Sequence, residues 1–272
     1  MKLKEMKLSD ISSDKKYDYI FPIWATEQHW PFIPFGTDTY ITEYIIEWIA
    51  AVYPEMVILP MLEYSRSQEH RWFYWTIRLT EETLLKVFED VCNSIQAQAR
   101  NIFMISFHAN GAYINKFIQN YSSGDVNIIH LEICDEKDDA YIESKLLQWP
   151  VDCHAGNTEI SNILVINETL VQVPKKDYPK STIDDAFGTD NLIEKSSNWI
   201  VDNHEKWIVS KALGLEILNL YIQRVLKNIN TTLLDWGKWM SNHIFFEVWR
   251  WFLSHSKGMH NKKLWTDLFS MQ

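Results

Sequence analysis

Cysteine is scarce in this chain. Cys92, Cys134 and Cys153 are the whole complement, an odd number with no CxxC pair, so neither a disulfide framework nor a cysteine-built zinc site is indicated and a reducing cytoplasm is expected. Also missing is any run approaching the roughly 20 apolar residues that a bilayer span requires. The opening MKLKEMKLSDISSDKKYD is charged throughout and lacks the apolar region of a signal peptide. No basic cluster offsets the formal net charge of −10; phosphates would be repelled over most of the surface, which disfavours a nucleic-acid partner. Glycine is low, at 8 of 272 residues, against a usual share of about 7%. Tryptophan, with 13 residues, is not. No internal repeat and no low-complexity tract is found.

What is present suffices for a sizeable core, since 46% of the residues are hydrophobic. One large domain with an appendage is the simplest organisation. Residues 18 to 25 (DYIFPIWA) run aromatic and β-branched residues together and predict a short buried strand. Ile41, Tyr44, Ile45, Trp48, Ile49 and Val52 have the spacing of an amphipathic helix over 40 to 52, and MVILP at 56 to 60 returns as a strand. Thr80 before Glu81 and Glu82 is a helix start, with Leu84, Leu85, Phe88 and Val91 on one face. A strand at Ile102 to Ser106, a helix near 112 to 121 and an almost wholly apolar strand from Val126 to Ile133 follow. Strands alternating with helices argue for a largely parallel sheet covered on both faces. Residues 174 to 198 read as a long polar surface connection, and 204 to 228 as a strong amphipathic helix carrying Trp207, Ile208, Leu213 and Ile217.

In such sheets ligands gather in the loops after the strands' carboxyl ends. Three loops carry residues of metal-binding type: Glu27 to Asp38, with His29 between them; Ser106 to Gly111, with His108; and His154 to Ser161, with Glu159. Taken singly, each of these is more often a solvated carboxylate or a hydrogen-bonded scaffold histidine. Together they supply the mixed nitrogen and oxygen ligands suited to Zn²⁺, Mn²⁺ or Fe²⁺. Five ligands are too many for one open site; shared between two ions through a bridging carboxylate, they leave positions for a water that ionises near pH ~7.

With these residues in hand, the sequence resembles the creatininase family, or creatinine amidohydrolases. That family's EQHGPHLPLGTD, NGHGGN and HAGxxETS are matched in order and spacing by the three loops, its YGxSxEH by Tyr64 to His70, and its TISL by Thr76 to Leu79. The resemblance covers about residues 18 to 228. It implies a three-layer α/β/α fold with a mostly parallel central sheet, and two divalent ions per subunit. Glu27, Asp38 and His108 would hold one ion and His29, Asp38 and Glu159 the other, with Asp38 bridging. His154 would shuttle a proton as a metal-bridging hydroxide attacks the C–N bond of a small amide, cyclic or related, in a homo-oligomer. A second register, placing Asn110-Gly111 on the family's Asn-Gly and Ala112 on the ligand position, is rejected because it gives up both the strand and the histidine.

The departures fall on pocket positions. Trp30 stands for glycine, Phe32 for histidine, Ser106-Phe107 for Asn-Gly, Tyr74-Trp75 for Pro-Gly and Asn157 for a frequent acid. These large side chains predict a smaller, drier cavity for a flat or apolar substrate, and creatinine itself is not expected. Trp30, Phe107, Trp149, Asn157 and His70 are the candidate substrate contacts. Residues 1–230 are expected to form the metal-dependent catalytic domain and 231–272 a tryptophan-rich helical extension, packed on the domain or on a partner subunit. Two other functions fit the same residues: a cyclase or acyl-transferring enzyme on the same centre, and a non-catalytic scaffold with a structural metal.

Overall fold

The computed structural model describes residues 1–108, 110–122, 124, 126–148, 154–179, 196, 198–201 and 206–234. Met1–Thr232 form one compact unit, and residues 233–272 a second of which the described part is only the end of a helix. The expected extension therefore lies almost entirely outside the described residues, as do Trp149, Cys153 and most of the connection at 174 to 198.

A four-stranded, all-parallel sheet organises the first unit. Strand β1 (Tyr17–Pro22) lies between β2 (Val57–Ile58) and β3 (Ala99–Ile105), and β4 (Asn127–Leu131) pairs with β3. All six residues of β1 are buried, as suits a central parallel strand in which every residue but Asp18 is aromatic or apolar. Its one charge, Asp18, is matched by the Arg100 guanidinium and by Asn101, whose Nδ2 donates to Oδ1 at 2.7 Å. β4, which pairs on one side only among the described strands, is only half buried, contrary to the expectation from its apolar sequence.

Helix α1 (Thr37–Val52) connects β1 to β2. Helix α2 (Glu81–Ile95) leads into β3; Thr80 caps it by accepting the Thr83 N–H at 3.2 Å, and Leu84, Phe88 and Cys92 form its buried stripe. Helix α3 (Gly111–Asn120) joins β3 to β4. Tyr19, Phe21 and Ile23 of β1 and its extension, with Ile102 and Met104 of β3, pack against Leu84, Phe88, Ile114 and Phe117 on one face of the sheet. Ile20, Phe103 and Ile105, which alternate with them, are buried on the opposite face. Helices thus cover both faces, the three-layer arrangement expected.

After β4 come α4 (Glu136–Tyr141), which runs on into a π-helical turn Ile142–Leu147, and then α5 (Asn157–Ile166) and α6 (Lys211–Leu234). The last helix starts later than its apolar periodicity predicts. Ser210 ends the preceding segment by accepting the Leu213 N–H on its hydroxyl at 3.1 Å. Trp207 and Ile208, expected inside the helix, instead anchor the approach to it: the Trp207 ring meets Phe32, and Ile208 N–H donates to Asn157 Oδ1 at 2.7 Å. Among the described residues no helix is long and apolar enough to cross a membrane.

Candidate metal centre

From β1 the chain leaves toward β2, and from β3 toward β4, in the opposite direction across the sheet. The loops at the carboxyl ends of these adjacent strands must diverge, and the crevice between them is where an open α/β sheet binds ligands. Glu27 and His29 follow β1, Asp38 lies in the first turn of α1, and His108 follows β3. A hydrogen bond from Glu27 N–H to Phe35 O at 3.1 Å closes the first loop on itself and brings its two carboxylates together. Glu159 enters from the first turn of α5, where its Oε2 accepts the Ala155 N–H at 2.6 Å. His154 is pinned by a two-way backbone pair with Val201.

Glu27, His29, Asp38, His108 and Glu159, predicted from three separate loops, converge in one buried cluster. Asp38 Oδ1 is 3.5 Å from His29 Nε2, and Asp38 Oδ2 is 3.5 Å from His108 Nδ1. His29 Nε2 is also 3.5 Å from Glu159 Oε2, and His108 Nδ1 is 3.3 Å from Glu27 Oε1. These separations are long for hydrogen bonds but match the roughly 3.4 Å between two ligands of a tetrahedral ion with bonds of about 2.1 Å. His29 fixes its own tautomer by placing Nδ1 at 3.1 Å from Glu27 O, which turns Nε2 to the cluster. Glu27 Oε2, His29 Nε2 and Asp38 Oδ2 are buried with no hydrogen-bond partner. Buried polar atoms left bare in this way are costly, and a divalent cation would satisfy all three.

Electrostatics point the same way. Burial opposes ionisation of Glu27, but the charges of His108 and His70 outweigh it and hold the carboxyl well below its usual range. For Asp38, burial is likewise overcome by His29 and the proton is lost more easily than usual. Burial disfavours the charged forms of His29 and His108, yet Glu159 and Asp38 raise the first, and Glu27 and Asp38 the second, well above an ordinary imidazole. His154 goes the other way: burial, with His29 and His70 beside it, holds it neutral well below the usual value. Glu27 and Asp38 are thus kept ionised, as ligands must be.

His154 and His70 stand against this cluster, their Nδ1 and Nε2 being 3.6 and 3.4 Å from Glu27 Oε1. Rings continue outward from them, from His70 to Phe73 at 6.0 Å, Phe73 to Trp199 at 5.4 Å and Trp199 to Trp30 at 6.4 Å, so that Trp30 forms an exposed rim. A cavity of about 620 Å³ borders the centre at His108 and Glu159 and is lined further by Phe107, Tyr221, His130 and Glu132.

Three of the pocket expectations need correction. Phe32 is buried in a box with Tyr178 and Trp207, at 4.7 and 5.5 Å, and closes the scaffold instead of the cavity. Tyr74 and Trp75 are 88% and 83% exposed and fill nothing. Neither Phe32 nor this pair lines the cavity. Asn157 is fully buried, and the Ile208 N–H engages it within the scaffold. Two polar residues were overlooked individually. Gln28 contacts His70, His154 and Trp30, and Asn110, two residues after His108, ties the Ser65 hydroxyl to that of Ser106. Both sit inside motifs noted for their neighbours, which was the available signal. Ala112 is exposed at the start of α3, so the rejected register would have put no ligand in the cluster.

Fold and site together define a metal-dependent amidohydrolase scaffold. A family model described as creatinine amidohydrolase matches residues 4–227, and the chain belongs to that creatininase family. Among solved structures, a creatininase variant complexed with creatine superposes with a TM-score of 0.69 at 20% identity, covering 85% of this chain and 98% of that one. A zinc-zinc form of a creatininase variant gives 0.67 at 19% identity over 85% and 97% of the two chains. A mycofactocin precursor peptide peptidase from Mycobacterium tuberculosis is 28% identical over 98 residues, 33% of this chain and 39% of its own length.

Proposed function

We propose that the chain is a hydrolase that cleaves an amide C–N bond with two divalent ions held by Glu27, His29, Asp38, His108 and Glu159. The observation that carries this reading is that the two oxygens of Asp38 face different histidines, each with a further carboxylate beside it. Asp38 is then common to two sets, one with Glu27 and His108, the other with His29 and Glu159. Zn²⁺, Mn²⁺ or Fe²⁺ bound there would supply a water ionised near neutral pH and a positive charge for the developing oxyanion. His154 is buried and neutral, with Nε2 held by Gln28 and Nδ1 toward the centre, and so keeps a proton ready for the departing nitrogen.

The cavity is the substrate's place. Its volume of about 620 Å³ falls among sites that enclose a ligand of drug size, which exceeds one small ring. Phe107 and Tyr221, with rings 5.6 Å apart, give it an apolar wall, while Trp30 and His70 flank the other approach. The relatives' names run from creatininase to peptide peptidase, so a fitting screen spans cyclic amides and short peptides. The same reading makes residues 1–230 the catalytic domain of a cytoplasmic homo-oligomer. The unpaired Cys92 and Cys134 and the exposed rings of Trp72, Tyr74 and Trp75 support that setting.

The test is the metal content of purified wild type, His108→Ala and Glu159→Ala by elemental mass spectrometry, followed by the substrate screen. About two ions per chain are expected, falling in each variant. One ion or none after reconstitution would sink the reading.

A further inference from the structure

His108 has two ring nitrogens and a different neighbour on each. Nδ1 faces Glu27 and Asp38 at 3.3 and 3.5 Å, whereas Nε2 lies 3.5 Å from Oε1 of Glu69. Glu69 belongs to a short 3₁₀ turn, Gln68–His70, which follows Ser67 in the left-handed region at φ 28°. That turn sends two consecutive side chains to the centre: His70 to Glu27, and Glu69 to the far side of His108. The second oxygen of Glu69 is 3.9 Å from the Arg66 guanidinium, which lies over the Tyr113 ring of α3 at 5.4 Å. A line of contacts thus runs from α3 through Arg66 and Glu69 to the outer nitrogen of His108.

A neutral imidazole carries one N–H, and the nitrogen that binds a cation must be the bare one. A carboxylate at the other nitrogen takes the N–H, fixes the ring's orientation and raises the ligand's basicity. We propose that Glu69 is a positioning residue that holds His108 with its proton on Nε2 and its Nδ1 lone pair toward the cluster. Glu27, Glu69 and His108 also lie close enough together to share an ion, but Glu69 faces the ring nitrogen of His108 that Asp38 and Glu27 do not, and so takes its N–H. This rests on the metal-dependent reading above, because it assigns a partner to one of that reading's ligands. It also gives the Glu-His pair of the Tyr64 to His70 segment two separate tasks, one on each side of the centre.

The experiment uses the zinc-loaded full chain. Long-range ¹H–¹⁵N spectra of the wild type should show the His108 proton on Nε2; a proton on Nδ1 would overturn the proposal without any variant being made. Zinc dissociation constants from chelator competition should rise about 10- to 100-fold in Glu69→Ala. Glu69→Gln, whose amide oxygen still accepts the N–H, should recover most of that loss at unchanged stoichiometry. Unchanged affinity in Glu69→Ala overturns the proposal. So does loss of an ion in both variants, which would make Glu69 a ligand. A wild type that binds no zinc would remove the metal-dependent reading as well, whereas a wild type that binds two ions with an indifferent Glu69 removes this inference alone.

Discussion

Gln28 donates through Nε2 to His154 Nε2 at 2.9 Å, while its own Oε1 accepts the Trp30 N–H at 3.0 Å. The amide is therefore oriented from both ends. The same Nε2 is 3.1 Å from His70 Nδ1. An amide nitrogen has only hydrogens to offer, so the ring nitrogen each histidine turns to it is bare. With His154 neutral, its proton sits on Nδ1, the atom that faces Glu27.

Replacing that amide by a carboxylate reverses the preference. Gln28→Glu places a negative charge where two imidazoles meet, and an opposite charge at that range favours the protonated ring. His154, which burial and its neighbours His29 and His70 keep well below the ordinary value, should titrate at higher pH in the variant. The measurement is an NMR pH titration of the His154 ring proton in metal-free wild type and variant. Coincident curves would mean that Gln28 does not control the protonation of this ring.

Removing the metal should change the direction in which stability depends on pH. In the metal-free fold His29 and His108 titrate above the ordinary imidazole value of 6.5, so the stability they confer is complete below that pH and is lost as pH rises through their folded values. His154 and His70 are depressed, so their contribution is present above 6.5 and is lost as pH falls through their lowered values. Glu27 and Asp38, depressed from 4.5 and 3.8, add a loss at still lower pH. Metal-free protein should melt highest near about pH 6–7 and lose stability on either side. Bound zinc requires bare imidazoles, so the zinc-loaded protein should gain on the metal-free one as pH rises. Thermal melts with zinc and with a chelator, from about pH 5.5 to about pH 8.5, test this; a gap that stays constant across the range would contradict it.

Periodicity made most of this fold legible, because the strands and helices that carry the site have strong apolar patterns. Helices α1 and α2 lie where Ile41, Ile45, Ile49 and Thr80 put them. The helical stretch Glu136–Leu147 was not foreseen: its start is an Asp135 capping box written in charged residues, and it continues as a π-helix that a period of 3.6 does not describe. Convergence of the five candidate ligands was legible because strand ends gather ligands whatever the sequence between them. Side-chain direction was not. Trp30, Phe32, Tyr74 and Trp75 occupy pocket positions in the motifs, yet Phe32 found Tyr178 and Trp207 far along the chain, and Tyr74 and Trp75 point to solvent. Contacts of that range leave no local pattern.

Gly214 shows how closely the scaffold behind the centre is packed. A Cβ built on it would lie 2.0 Å from the carbonyl oxygen of Ser161 and 2.4 Å from its carbon, so α6 crosses the backbone of α5 at a point where only a hydrogen fits. In an isolated helix, alanine is better than glycine by about 1 kcal/mol. Here the clash is with backbone, which cannot rotate away, and overpacking of this kind costs about 1–3 kcal/mol or more. Gly214→Ala should therefore destabilise the protein despite its better propensity, by at least about 1 kcal/mol in urea unfolding. Because α5 carries Glu159 in its first turn, displacing that helix should also lower zinc occupancy. Gly36→Ala is the control: its Cβ would meet nothing nearer than Tyr40 at 3.6 Å, an ordinary contact. Equal stability of the two variants would show that α5 and α6 can separate without cost, and that the position of Glu159 is set by its own loop.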